Sequence, residues 1–595
     1  MCAIFGIVGK YDPIEAQKAF ETLTHRGVDE SHAIKNEQYF LGVHRLAITA
    51  VHTPHIQPIR EEDLLFVMNG EIYNHRVLAQ ELGIEGHSDT QVAFAAYRQW
   101  GDRFAEKLRG IFAITIIEEN TVKLFRDPFG KKPLYYTIRD EQIIFASELK
   151  AIHALKPLEF DREIIPCYLS YQAAVAPSTF DKNVFQVAAG CQMTITKTRE
   201  VSTHRYFSVL DTPVTLHTDR EAIDQIHQKL IESVTLRLPG EVKYGALLSG
   251  GLDSSLIAAL AASQGPLHTF SIGYEGYEQH DERPYAAEVA EHIGSKHHAY
   301  SFTQKDFLES LEQILTILDE PFADPAMVPL FYLMQQIRRE GIKVVLTGDG
   351  SDELFLGYRT YKEYLDIEQL SGLKYKNWLK AYLKSHFSMH KEWEWYKRVL
   401  EGKTLFRSSA ELFTDLQQNR LLKMNIKDNR SLDIIASYRQ EFEESRRSAP
   451  VDWYSFLDLK IQLGEVFLRK LDRISMAHSI EARTPFLDRE LVKTVFSSAP
   501  ELRAEQLPKG WIKEIAAAYL PETIIHRKKK GFNYPYLEWL QESNQLEVIP
   551  RVQKKYKLFN DEQLQWLLSE GEQGRFQHQI FSLYILCRWM ERQLG

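Results

Sequence analysis

At 595 residues the chain exceeds what one hydrophobic core serves, so two or more domains are expected. Hydrophobic content of 44% and charged content of 26% suit a folded globular protein, and a net charge of −9 excludes a basic nucleic-acid-binding surface. Cys2, Cys167, Cys191 and Cys587 are too scattered for a zinc site or disulfide framework and fit a reducing compartment.

From Met1 onward no basic, apolar signal segment is present, and no run of about 18 apolar residues offers a membrane span. A cytoplasmic protein without membrane or nucleic-acid partners is expected. Residues 1 to about 205 read as short strands with turn punctuation: Ala3–Val8, Leu64–Met68 ending at Asn69-Gly70, Phe112–Ile117 and Ile143–Ala146. One helix, Thr90–Gln99, follows the N-cap-like Ser88-Asp89. An antiparallel, sheet-dominated first domain follows, and Thr203–Thr218 reads as the linker.

Beyond it the period changes. Strands at Val242–Leu248, His268–Ile272, His298–Phe302 and Lys343–Leu346 alternate with helices at Ser254–Ala262 and Arg283–Ile293. Alternation of this kind implies a parallel sheet with crossover helices, an α/β domain after an α+β one. Residues 360–460 are charged and aromatic and read as an added helical subregion. Ile580–Met590 reads as a core helix.

Cys2 becomes the first residue if Met1 is removed, and its thiol then sits beside an α-amino group that can act as a base. An inert terminal thiol is the plain alternative for one cysteine alone. The ordered set Cys2–Val8, His25-Arg26-Gly27, Arg45-Leu46-Ala47-Ile48, Asn69-Gly70-Glu71-Ile72-Tyr73-Asn74 and Ser88-Asp89 resembles the glutamine amidotransferase domain of the N-terminal-nucleophile (Ntn) hydrolases, as found in the asparagine synthetase family. The resemblance implies an αββα fold. It also implies that Cys2 attacks the glutamine amide, that Asn69 and Gly70 form the oxyanion hole, that Arg45 binds the α-carboxylate, and that Glu71 and Asp89 hold the α-ammonium group. Those side chains suit their ligands: a guanidinium fork a carboxylate, acceptor-only carboxylates an ammonium. Taken alone, Asn69-Gly70 would also suit a hairpin turn, and Val28 stands where the family usually has proline.

Ser249-Gly250-Gly251-Leu252-Asp253-Ser254-Ser255 joins a buried strand to a helix. Paired glycines let backbone N–H groups curl round one anion at a helix N-terminus. The Gly-Lys-Ser/Thr ending of a Walker loop is absent. Thr347-Gly348-Asp349-Gly350-Ser351-Asp352-Glu353 follows a second strand, and in a parallel sheet both loops emerge where ligands bind. Asp253 and Asp352 can then hold Mg²⁺ on the phosphates; helix capping is the plain alternative for Asp349, Asp352 and Glu353. Resemblance to pyrophosphate-releasing enzymes and to asparagine synthetases places ATP here, with Leu247, Ile272 and Gly348 around the adenosine and Lys509 stabilising charge during adenylation. Tyr358 borders the same pocket, and Leu356 departs from a usual pair of glycines.

Leu468–His478 and Glu481–Asp488 read as carboxylate-site floor and core without chemistry, and His526–Lys530 as a solvated basic face, with phosphate contact open to Lys528 or Lys529. The implied partners are glutamine, ATP and a carboxylate acceptor, aspartate first, with a homodimer as one assembly state.

Overall fold

A computed structural model describes residues 2–119, 121–372, 378–379, 381–382, 391–422, 429–527 and 534–595. Met1 and Lys528–Lys530 lie outside the described residues.

The first half holds two six-stranded sheets in which every pairing is antiparallel. One runs, in spatial order, Phe185–Gln186, Tyr135–Arg139, Gln142–Ala146, Cys2–Val8, Tyr39–Arg45 and Glu30–Lys35. The other runs Val201–Arg205, Cys191–Ile195, Thr121–Arg126, Gly110–Glu118, Leu64–Ile72 and Ile59–Glu61.

The two-residue period of a strand sorts these side chains between cores. Cys2, Ile4, Leu65 and Val67 enter one core shared by the two sheets. Ala3, Phe5 and Ile7 instead meet residues of the helices Pro13–Glu21 and Leu149–His153, while Phe66 and Met68 meet those of His75–Leu82 and Asp89–Trp100. Helix, sheet, sheet, helix is the expected αββα arrangement.

Several expectations are corrected. Leu64–Ile72 runs straight through Asn69-Gly70, which pairs with Ala113 and Phe112, so no hairpin turn occurs there. Beside the one clear helix the half carries short ones, of five to nine residues, which present too few apolar positions to show a period. Thr203 belongs to a strand, and Thr215 and Leu216 donate N–H to the Ser497 carbonyl, so the linker is docked along most of its length.

The second half is organised by a parallel sheet in the order Lys296–Phe302, His268–Tyr274, Tyr244–Leu247, Val344–Leu346 and Glu481–Arg483. The chain leaves Tyr244–Leu247 in one direction for two strands, then returns to its other side. That reversal is a topological switch point, and the crevice beside it is where open α/β sheets bind ligands. The edge strand Glu481–Arg483 was read as core without a strand; three residues are too short to show alternation. Within the subregion at about 360–460 the described residues include the expected helices, among them Arg359–Glu368, Arg430–Glu444 and Pro450–Asp458, and Gln577–Gln593 is the buried C-terminal helix. Among the described residues no helix is long and apolar enough to cross a membrane.

Buried ion pairs join the halves. Arg26 donates to Glu148 at 2.9 Å and Asp472 at 2.8 Å, and Lys132 shares Asp472 at 2.9 Å. Asp488 receives Arg109 and Arg237. The segments around Leu468–His478 and Glu481–Asp488 therefore form the seam between the halves.

Candidate active sites

Cys2 begins a strand whose register sets it opposite Arg45. Its backbone N–H donates to Asn69 Oδ1 at 3.1 Å, and Gln57 Nε2 reaches its Sγ at 3.3 Å. Burial pushes the thiol above its ordinary pKa, with Arg45 pulling the other way. Asn69 is fully buried, and its Nδ2 lies 3.4 Å from Ser147 Oγ.

Gly70 owes its place to crowding and register. A Cβ there would stand 2.1 Å from the Ile111 carbonyl oxygen. Both backbone groups of Phe112, its strand partner, are taken on the far side by Asp127. Gly70 is thus at a non-hydrogen-bonded position, and its N–H points to the opposite edge. On that edge the N–H groups two residues either way are already held, Met68 by Gln57 Oε1 and Ile72 by Asp89 Oδ2. The Gly70 N–H lies between them on the edge that carries Asn69's neighbours, a geometry able to stabilise an oxyanion.

Arg45 is less open than its expected role requires. Nη1 donates to Glu30 and the Thr53 carbonyl, Nη2 to the Thr49 and Ala50 carbonyls. A ligand carboxylate would reach this guanidinium only at Nε or by displacing one of these partners. Glu71 accepts from Thr49 Oγ1 at 2.5 Å and lies 3.5 Å from Arg483 Nη2, which the second half supplies. Burial pushes the Glu71 carboxyl up to about 7 against the pull of Arg483, with Asp89 and Glu481 adding to the rise. Burial also raises Asp89, which follows the N-cap Ser88. Gln57, Thr49 and Arg483 were missed by the sequence reading; only Arg483 lay in a motif that it singled out.

In the second half both glycine loops open on the switch-point crevice. Leu247, Ser249 and Ile272 line a cleft together with Phe270, Tyr274, His280 and Glu282. Gly250 sits at φ +66°, where a side chain is strained, and a Cβ would strike Tyr285. Ser249 Oγ and Ser254 Oγ stand 3.0 Å apart, and Gly251 N–H donates to Ser249 Oγ at 3.3 Å. Ser255 is buried in the first turn of the following helix, its N–H donating to the Gly251 carbonyl at 3.0 Å. Gly348 contributes through close approach: a Cβ there would stand 2.8 Å from the Ser254 nitrogen. Thr347 donates its N–H to the Arg483 carbonyl at 2.9 Å, tying the second loop to the seam.

Lys509 Nζ bridges Asp253 at 2.6 Å and Asp352 at 2.5 Å, so a carboxylate from each loop converges on one ammonium. Two acids brought to one point fit a divalent cation completed by phosphate and water oxygens; among the described residues no cluster of three or more metal-ligating side chains occurs. Next to them, burial and Asp352 push the Glu353 carboxyl up to about 8, and Tyr358 Oη donates to it at 2.5 Å. Leu356 is buried at φ +53° and lines a small pocket with Lys509 and Gln506.

A glutamine amidotransferase domain model matches residues 1–207 and an asparagine synthase model residues 225–591. With the two clefts above, they define an ATP-dependent, glutamine-hydrolysing ligase that forms amides. Asparagine synthetase 1 (glutamine-hydrolyzing) of Bacillus subtilis is 32% identical over 567 residues, covering 91% of this chain and 88% of its own. A putative asparagine synthetase of Mycobacterium tuberculosis is 33% identical over 575 residues, covering 89% and 85%. The amidase chry2 of Gibberella zeae is 25% identical over 584 residues, covering 88% and 85%. The chain belongs to the asparagine synthase family.

Proposed function

We propose that the chain is a glutamine-hydrolysing asparagine synthetase, with residues 1–205 as its glutaminase half and 206–595 as its synthetase half. Cys2 Sγ attacks the glutamine side-chain amide carbon, with the free amine left by Met1 removal as base. The oxyanion rests on Asn69 Nδ2 and the Gly70 N–H, ammonia leaves, and water hydrolyses the glutamyl thioester. Glu71 and Asp89 hold the substrate ammonium, and Arg45 its carboxylate.

ATP lies with its adenosine against Leu247 and Ile272 and its phosphates on Ser249–Ser254. Asp253 and Asp352 would hold Mg²⁺, which supplies charge neutralisation on the phosphates. The side-chain carboxylate of aspartate attacks the α-phosphorus and pyrophosphate departs, while Lys509 offsets charge developing between the two loops. Ammonia then attacks the acyl carbon of aspartyl-AMP, loses a proton and displaces AMP, giving asparagine. The observation that carries this reading is the Asp253–Lys509–Asp352 convergence at the switch point. The reading requires ammonia to pass between the halves under cover, because ammonium is not a nucleophile and the adenylate hydrolyses in water.

The test is pyrophosphate and AMP release with glutamine and a panel of carboxylates. Aspartate should give the highest kcat/KM; ADP among the products overturns the reading. A second reading, amidation of another carboxylate such as a sugar acid or peptide, draws on Leu356, whose buried side chain fills space beside Lys509 that a glycine would leave open. In that case a different acid in the panel gives the highest value.

A further inference from the structure

Arg527 belongs to the basic run read above as solvated, yet its side chain is only 7% exposed. Its Nη1 donates to the carbonyls of Ser249 at 3.3 Å and Gly250 at 2.9 Å. Its Nη2 pairs with Glu282, and the guanidinium carbon stands 4.1 Å from the centre of the Tyr285 ring. Glu282 precedes the helix Arg283–His292 and lines the nucleotide cavity. Arg527 therefore ties the first glycine loop to that helix.

The consequence follows from peptide planarity. In a trans peptide the carbonyl and the next N–H point in opposite directions. Holding the Ser249 and Gly250 carbonyls turns the N–H groups of Gly250 and Gly251 to the side away from Arg527, where that of Gly251 meets Ser249 Oγ at 3.3 Å. Without such a hold, a Gly-Gly peptide meets little steric resistance to rotation, and a flipped unit presents a carbonyl oxygen where an anion needs a donor. We infer that Arg527 is a positioning residue that locks the peptide orientation of Ser249-Gly250-Gly251 so that the loop offers donors to a polyphosphate. The inference rests on the ATP reading of this loop. A lysine cannot reproduce it, since one ammonium lacks the planar fork that serves two carbonyls and a carboxylate at once.

The experiment compares wild type, Arg527→Met and Arg527→Lys in ammonia-driven pyrophosphate release, with ATP-free glutamine hydrolysis as internal control. Hydrogen bonds to a charged group are worth enough that Arg527→Met should raise KM for ATP roughly 10- to 100-fold, with kcat changed far less. Arg527→Lys should fall between the two, and amide hydrogen exchange in 249–251 should quicken in both variants without ATP. An unchanged KM and exchange rate in Arg527→Met overturns the inference. So does a parallel loss of glutaminase activity, which would make Arg527 a folding residue. Wild-type protein that releases ADP and no pyrophosphate instead removes the ATP reading itself, an outcome visible before any variant is made.

Discussion

The two clefts are built on opposite plans. On the glutamine side, side chains from four strands and the Thr49–Gln57 segment satisfy one another: Arg45 is spent on Glu30 and three carbonyls, Asn69 on Cys2, Gln57 on Cys2 and Met68. On the nucleotide side, two loops of consecutive residues each bring one carboxylate to a single ammonium. A cleft of the first kind depends on register across a sheet, where one slip turns every side chain to the other face. A cleft of the second kind depends on where a parallel sheet reverses its winding. Variants should therefore separate the two activities cleanly, and where they do not, the seam is the reason.

The largest effect is expected from Cys2→Ala. Glutamine hydrolysis should fall by roughly 10³-fold or more, as for other lost nucleophiles, while synthesis from added ammonia persists. A mutant that still hydrolyses glutamine would remove Cys2 from its proposed role. Asp253→Asn should lower pyrophosphate release by about 10²-fold, as expected when a charge-stabilising group is lost, and leave glutaminase intact; a normal release rate counts against the metal role.

Arg483→Met tests the seam between the two plans. Arg483 donates to Glu481 at 2.5 Å and approaches Glu71, so its loss strands buried carboxylates. About 3 kcal/mol of unfolding free energy should disappear, the usual scale for breaking a buried pair. Urea denaturation reads this, and an unshifted midpoint would show the pairing to be idle. Its carbonyl also holds Thr347, so any loosening of the strand should reach the ATP loop.

The smallest effect is in pH dependence. The Glu71 carboxyl is raised from 4.5 to about 7 by burial. The stability its neutral form contributes is complete below pH 4.5 and is lost as pH rises through 7. Binding of a substrate ammonium has the opposite sign, because it needs the ionised form. KM for glutamine should fall severalfold between pH 6 and pH 8, and Glu71→Gln should flatten that dependence. A KM that rises over this interval in the wild type would separate Glu71 from the ammonium.

Much of both halves was legible. Cys2–Val8 and Tyr244–Leu247 are apolar on both faces, and Ser88 caps its helix as expected. What escaped was whatever lacks a local signature. Asn69-Gly70 carries turn chemistry but lies mid-strand, because pairing with Ala113 and Phe112 overrides local preference. Arg527 sits among lysines and reads as solvated until the fold sets it on the Ser249 and Gly250 carbonyls.

Beyond the αββα layering and the cleft side chains, which family resemblance implied, the sequence by itself determined the antiparallel- and parallel-sheet classes and the two glycine loops. These follow from hydrophobic period and from residue types whose chemistry is local. Only the tertiary structure decided which partners occupy Arg45, where the Gly70 N–H points, that Lys509 meets both acids, and that Arg483 reaches the glutamine cleft from the other half. Each of those depends on atoms brought together from distant stretches of chain, and neither spacing nor composition encodes the distances between them.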